Sequence, residues 1–241
     1  MGLLWFVLAC AGGSTEVQDT QDSQEVSGPV AMQTLTLTTR DEVQITTDYY
    51  GQSSSEVTLV VFAHMNPSAG FNRTDWPTDF LESLHESGLA LMVLDRRGAG
   101  DSEGMAADAY NTVKGAYDLE ACVLRAQADG FDKLLMVGAS NGSTSVLDYA
   151  SLEGSEAWPA LDGFMFLSPG NYTQANHDLS AIAELPGWVG FPTSEAANAD
   201  DFEAVNPDWP VVIYDPGSHG TQIFGVNEQL AVDMEGWLTG Q

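Results

Sequence analysis

Basic residues are scarce in this chain. Its 241 residues hold 7 lysines and arginines against 35 aspartates and glutamates, a formal net charge of -28. That balance excludes nucleic acid and anionic lipid surfaces as electrostatic partners, because the phosphate contribution would be repulsive. The acidity is spread along the chain and suits a salt-rich habitat, where it keeps the surface hydrated and its self-repulsion is screened. Cysteine is nearly missing, with only Cys10 and Cys122. The apolar run over residues 3–9 is too short to span a bilayer. No fixed-period repeat appears, and no His/Cys spacing of a metal site, so neither metal nor cofactor is expected. What remains is a 44% hydrophobic chain, enough for one domain with a full core.

The two cysteines read differently. Cys122 sits in an apolar helical pattern and reads as a small buried hydrophobe. Cys10 closes Val7-Leu8-Ala9-Cys10, which resembles the bacterial lipoprotein cleavage box, although no Lys or Arg precedes the apolar run. Residues 1–10 are thus expected to be a signal segment with Cys10 lipidated. Residues 11–30 are polar, cannot bury a core, and read as a disordered tether. Residues 31–241 form the folded domain. The expected place is the cell envelope, anchored by lipid to a bacterial membrane, or secreted if the anchor is missing. The expected state is a monomer, and with Cys10 so used no intrachain disulfide remains.

Residues 32–38 and 43–50 alternate around Arg40-Asp41 and predict an opening β-hairpin. Continuous apolar runs at 57–63, 89–94, 133–137, 164–167, 188–191 and 211–214 predict strands buried on both faces. Helical spacing covers 76–87, 107–128, 143–149 and 222–238. A hairpin followed by alternating strands and helices implies an α/β fold, a mostly parallel sheet with helices on both faces. Ligands in such sheets bind at the carboxyl ends of the strands.

Two G-x-S-x-G matches occur, around Ser102 and Ser140. With 24 glycines in the chain, on the order of 0.2 matches would arise by chance, so context must decide. A nucleophile elbow needs a strand before the serine and a helix after it. Ser140 follows Leu134-Leu135-Met136-Val137 and precedes Thr144-Ser145-Val146-Leu147. Ser102 instead follows the glycine-rich loop Asp95-Arg96-Arg97-Gly98-Ala99-Gly100. A serine hydroxyl is a weak nucleophile and needs a base. Of the four histidines, His219 lies in a glycine-flanked loop after the last strand, the best position and chain order for that role. His85 reads as a solvated residue on the polar side of a helix, and His177 as a surface residue. His64 reads as shaping the loop after the third strand. An oxyanion site needs two backbone N–H groups; Asn141, directly after the nucleophile, and Met65, in the loop after the third strand, are the expected donors. The acid partner of His219 is expected after the strand at 188–191. Glu195 is nearest, Asp200 and Asp201 follow at the start of a helix, and Asp178 is a more distant alternative.

These motifs in this order, from His64 through Asp95-Arg96-Arg97-Gly98-Ala99-Gly100-Asp101-Ser102 and the Gly138 to Gly142 elbow to Ser218-His219-Gly220, resemble the α/β-hydrolase superfamily. The nearest flavour is the small, lidless, dienelactone-hydrolase-like group of bacterial esterases. The resemblance implies an eight-stranded sheet and ester or related acyl hydrolysis, with Ser140 as nucleophile, His219 as base, and Asp95 and Arg96 in a structural loop. It departs from the family at the acid. An aspartate is usual just past the seventh strand, where this chain reads Pro192-Thr193-Ser194-Glu195-Ala196-Ala197. The expected function is hydrolysis of a small or exposed acyl ester. The alternatives are a thioesterase, peptidase or acyltransferase on the same residues, and a catalytically impaired binding lipoprotein.

Overall fold

The computed structural model describes residues 29–53, 56–152, 159–170 and 179–241. The Cys10 segment, most of the tether, His177 and Asp178 lie outside the described residues. One eight-stranded sheet runs through the domain, built from β1 (Gln33–Thr38), β2 (Gln44–Tyr50), β3 (Thr58–Ala63), β4 (Ala90–Leu94), β5 (Lys133–Ala139), β6 (Gly163–Leu167), β7 (Gly187–Pro192) and β8 (Val211–Tyr214). Their order is β1-β2-β4-β3-β5-β6-β7-β8. The β1–β2 hairpin and the β2–β4 pair are antiparallel, and every other pairing is parallel. β3 and β5 are central, so the loops at their carboxyl ends face each other across one register line, Ala63 beside Gly138.

Period-two alternation sorts the strands' side chains between two cores. Leu59, Val61, Leu134, Met136, Phe164 and Phe166 pack on one face under α3 (Lys114–Gln127), α4 (Gly142–Leu152) and α5 (Ala199–Val205). Val60, Phe62, Leu135, Val137, Met165 and Leu167 pack on the other, under α1 (Thr78–Glu86) and α6 (Gln229–Thr239). Because both faces are covered, the central strands tolerate no polar alternation. Cys122 is fully buried in the first core, and burial pushes its thiol up to about 12. None of the described helices is long and apolar enough to cross a membrane.

The helix expected over 107–128 is two helices, α2 (Asp108–Asn111) and α3. Thr112 is extended between them, with its hydroxyl accepting from Lys114 N–H and donating to Asp108 O. A threonine that offers such side-chain bonds competes with a continuous helix. The final helix is likewise shorter than expected: Gly220–Gly225 is a 3-10 turn, and Asn227 Oδ1 accepts from Gln229 N–H to start α6. His85 is a correction. It is buried, not solvated; its Nε2 lies 2.8 Å from Gly51 O, and its ring meets Tyr50 edge-on at 5.5 Å. The chain leaving β2 covers that side of α1, which helical spacing alone does not show.

Several of the few cations are engaged in ion pairs. Arg97 bonds Asp41 and Asp118 at 2.8 and 2.9 Å, Arg73 bonds Asp48, Asp95 and Asp101, and Arg40 bonds Glu120. The Arg97 guanidinium holds the Asp41 carboxyl down at about 2.

Candidate active site

The residues expected to carry chemistry lie at the carboxyl ends of β3, β5, β7 and β8. β5 ends in a sharp turn at Ser140, which has φ 52, a left-handed conformation unusual for a residue with a side chain. Its flanking glycines explain how the turn is built. A Cβ on Gly138 would stand 2.7 Å from Ser143 Cα, and one on Gly142 would stand 2.4 Å from Ala63 O. The first glycine therefore lets α4 fold back onto β5, and the second lets the elbow touch the end of β3. Ser140 N–H donates to Leu167 O at 2.8 Å, and Ser140 O accepts from Ser143 N–H and, at 2.6 Å, from its hydroxyl. These bonds fix the strained turn between β6 and the first turn of α4.

Ser102 occupies a different setting. Its hydroxyl donates to Asp95 O at 2.7 Å and accepts from Thr46 N–H at 2.8 Å. Asp95 in turn accepts from Arg73 N–H and Asp101 N–H. Gly100, at φ 51, would place a Cβ 2.1 Å from Asp95 Oδ2. This loop is a knot of internal bonds at the edge of β2.

His219 precedes the 3-10 turn after β8, and Glu195 lies in the 3-10 turn Thr193–Asn198 after β7. His219 Nδ1 and Glu195 Oε1 are 2.6 Å apart. A carboxylate oxygen accepts hydrogen bonds, so the contact is read as Nδ1–H donating to Glu195, which turns the Nε2 side of the ring away from it. Glu195 Oε2 is buried and has no hydrogen-bond partner among the described residues. Asp200 and Asp201 stand in the first turn of α5, exposed, with no bond to His219. Of the three candidate carboxylates among the described residues, Glu195 is the one brought to the imidazole; the fourth, Asp178, lies outside them.

The His219 loop is locked against the elbow by its next residue. Gly220 has φ 56, and a Cβ there would stand 2.3 Å from Met65 Sδ and 3.8 Å from Ala139 Cβ. Gly220 N–H donates to Ser168 Oγ at 2.8 Å. Ser168 is fully buried at the end of β6, has φ 48, and donates its own N–H to Gly190 O. Sequence reasoning missed Ser168; nothing in a serine before a proline announces a left-handed backbone.

Met65 and Asn141 are buried on either side of the Ala63–Gly142 contact. Neither of their N–H groups has an acceptor among the described residues. Beside them His64 is fully buried, with Arg96 N–H donating to its Nε2 at 2.9 Å and its Nδ1–H donating to Met65 O at 2.8 Å. Burial, aided by the Arg96 charge, holds its pKa well below 6.5, so the ring is neutral. Both nitrogens are thus committed to the loop.

Comparison with known proteins agrees with this architecture. The family model described as serine aminopeptidase, S33, matches residues 70–212. No curated protein matches the chain. Among solved structures, an esterase of Pyrococcus furiosus superposes with TM-score 0.64 at 13% identity, covering 86% of this chain and 90% of that one. An α/β hydrolase from Penicillium sp. sh18 superposes with TM-score 0.66 at 12% identity, covering 87% and 98%. An esterase from Rhodococcus sp. ECU1013 gives 0.62 at 12%, covering 86% and 98%. At such identities the likeness carries the α/β-hydrolase fold, and the family model carries the hydrolase assignment. With Ser140 and Glu195 inside the matched span, the chain belongs to the serine aminopeptidase S33 family of α/β-hydrolases.

Proposed function

We propose that this hydrolase cleaves carboxylic esters through an acyl-serine intermediate, as a small, lidless, dienelactone-hydrolase-like enzyme. The observation that carries the reading is the 2.6 Å contact of His219 with Glu195, one residue from a glycine packed against the Ser140 turn. Ser140 Oγ attacks the carbonyl carbon while His219 Nε2 takes its proton. Glu195 steadies the resulting imidazolium. The Met65 and Asn141 N–H groups receive the negative oxygen. His219 then returns the proton to the departing alcohol, and a water molecule repeats the sequence to free the acid and Ser140.

Only a short stretch of sequence, about residues 170–187, joins the strands where relatives insert a lid, which favours a small or exposed acyl group over a long lipid chain. The net charge of -28 disfavours anionic substrates. An aminoacyl amide is the second reading, because the matched family is described by an aminopeptidase. Its cationic amino group suits the acidic surface. The contact of Glu195 with His219 supports the catalytic reading over the non-catalytic binding reading, which was motivated by the missing aspartate.

A fluorophosphonate probe tests the proposal. Wild-type protein should be labelled, Ser140→Ala should not, and p-nitrophenyl acetate should be turned over faster than any aminoacyl p-nitroanilide. Folded wild-type protein that takes no label at low or high salt would refute it.

A further inference from the structure

Arg96 is an anomaly among the arginines of this chain. The other three in the core loops meet carboxylates, whereas Arg96, fully buried, meets none in contact. Its guanidinium donates only to neutral acceptors among the described residues. Nη1 reaches His64 O at 3.2 Å, Met65 O at 3.3 Å and Asn141 Oδ1 at 2.7 Å. Nη2 reaches Asn141 O at 3.2 Å, Ser145 Oγ at 2.9 Å and Ala109 O. Nε has no partner. Asp118 and Asp148 act on it only through space, and burial draws its pKa down to about 10, which still leaves it charged at neutral pH. A buried cation without a contacting anion is costly to fold around. Three of its acceptors, His64 O, Met65 O and Asn141 O, are carbonyls of the two segments that carry the Met65 and Asn141 N–H groups.

We infer that Arg96 is a positioning residue that aims and polarises the Met65 N–H from behind and clamps Asn141 in place beside it. The His64–Met65 peptide is trans, so its C=O and N–H point in opposite directions. Holding His64 O therefore fixes the direction of Met65 N–H. A charge-assisted bond to that carbonyl also draws electron density from the N–H and strengthens it as a donor. On the elbow side, Arg96 clamps Asn141 through both its carbonyl and its side-chain oxygen. The carbonyl opposite Asn141 N–H, Ser140 O, is held in the same sense by the Ser143 N–H and hydroxyl. One guanidinium thus bridges the β3 and β5 loops, and its fixed positive charge stands behind the place where negative charge develops. This role goes beyond a structural loop residue. It rests on the serine-hydrolase reading.

The test is steady-state hydrolysis of p-nitrophenyl acetate by wild type, Arg96→Gln, Arg96→Lys and Ser145→Ala, with binding of phenylboronic acid as a mimic of the tetrahedral adduct. Arg96→Gln should lose about 10- to 100-fold in kcat, short of losing an oxyanion donor outright. KM should move less than about threefold, and phenylboronic acid affinity should fall in step with kcat. Arg96→Lys, which keeps the charge but not the fork, should recover part of the loss. Ser145→Ala removes one anchor of the guanidinium and should lower kcat about two- to fivefold at constant KM. It decides the matter if Arg96→Gln does not fold. Undiminished kcat in a folded Arg96→Gln, or in Ser145→Ala where Arg96→Gln is unfolded, overturns the inference alone. A loss appearing in KM rather than kcat does the same. Wild-type protein without esterase activity overturns the reading on which it rests.

Discussion

Removing the Glu195 carboxylate should cost this enzyme most of its turnover. In the transition state His219 carries a full positive charge, and Glu195 Oε1 lies 2.6 Å from Nδ1. At an effective dielectric of about 20, that separation corresponds to about 6 kcal/mol of attraction. The two side chains are 33% and 20% exposed, so water screens part of this, and roughly half, about 3 kcal/mol, is taken for the low end. Glu195→Ala should therefore lower kcat between about 100- and 10,000-fold. Glu195→Gln keeps an oxygen facing Nδ1–H but not the charge, and should fall between wild type and alanine. Asp200→Asn and Asp201→Asn touch nothing at the imidazole and should stay within about twofold. The assay is p-nitrophenyl acetate hydrolysis, with circular dichroism to confirm folding. A folded Glu195→Ala enzyme within about threefold of wild type would show that the contact has no part in the chemistry.

Ser102→Ala should leave kcat within about twofold while destabilising the fold by about 1–2 kcal/mol, through its lost bonds to Asp95 O and Thr46 N–H; urea unfolding and ester turnover read both, and a collapse of kcat in the folded variant contradicts it. Burial pushes the Asp148 carboxyl from 3.8 up to about 7, so the native state holds its proton longer than the unfolded one. The resulting penalty is absent below about pH 4, grows as pH rises towards 7, and is complete above it, about 4 kcal/mol at most. Asp148→Asn should thus match wild type in stability near pH 4 and exceed it at pH 8, and an equal difference at both pH values rules this out. Cys10 is proposed to be the lipidated terminus of the exported protein; intact-mass measurement of membrane-extracted material should show it, and an unmodified Met1 would end that proposal.

The strands were legible because sheets buried on both faces leave uninterrupted apolar runs, as at 133–137 and 164–167. Helix limits were less so. Thr112 and Asn227 end or start helices through side-chain bonds that helical periodicity does not register. The Ser140 elbow could be read because its requirements are local: glycines, a strand and a helix within a few residues. The acid was legible only as a preference for Glu195, nearest the strand end, since Glu195, Asp200 and Asp201 differ only in how the turn after β7 directs them. Arg96 was legible as part of a loop motif, but its task was not. Its partners His64 and Asn141 stand 32 and 45 residues away, and only the register of β3 against β5 brings them together.

The lacing at the ends of β5, β6 and β7 has a consequence in time. Ser140 N–H is bonded to the end of β6, Ser168 N–H to β7, and Gly220 N–H to the Ser168 hydroxyl, each at 2.8 Å. Gly220 belongs to a loop by position, yet its amide can be released to solvent only by parting from a fully buried strand end. Its hydrogen exchange should then follow the slow, cooperative opening of the central sheet and not the fast fraying usual for loops. The Ser140 turn and the His219 loop would part from the strand ends together, in one rare event, and stay laced between such events.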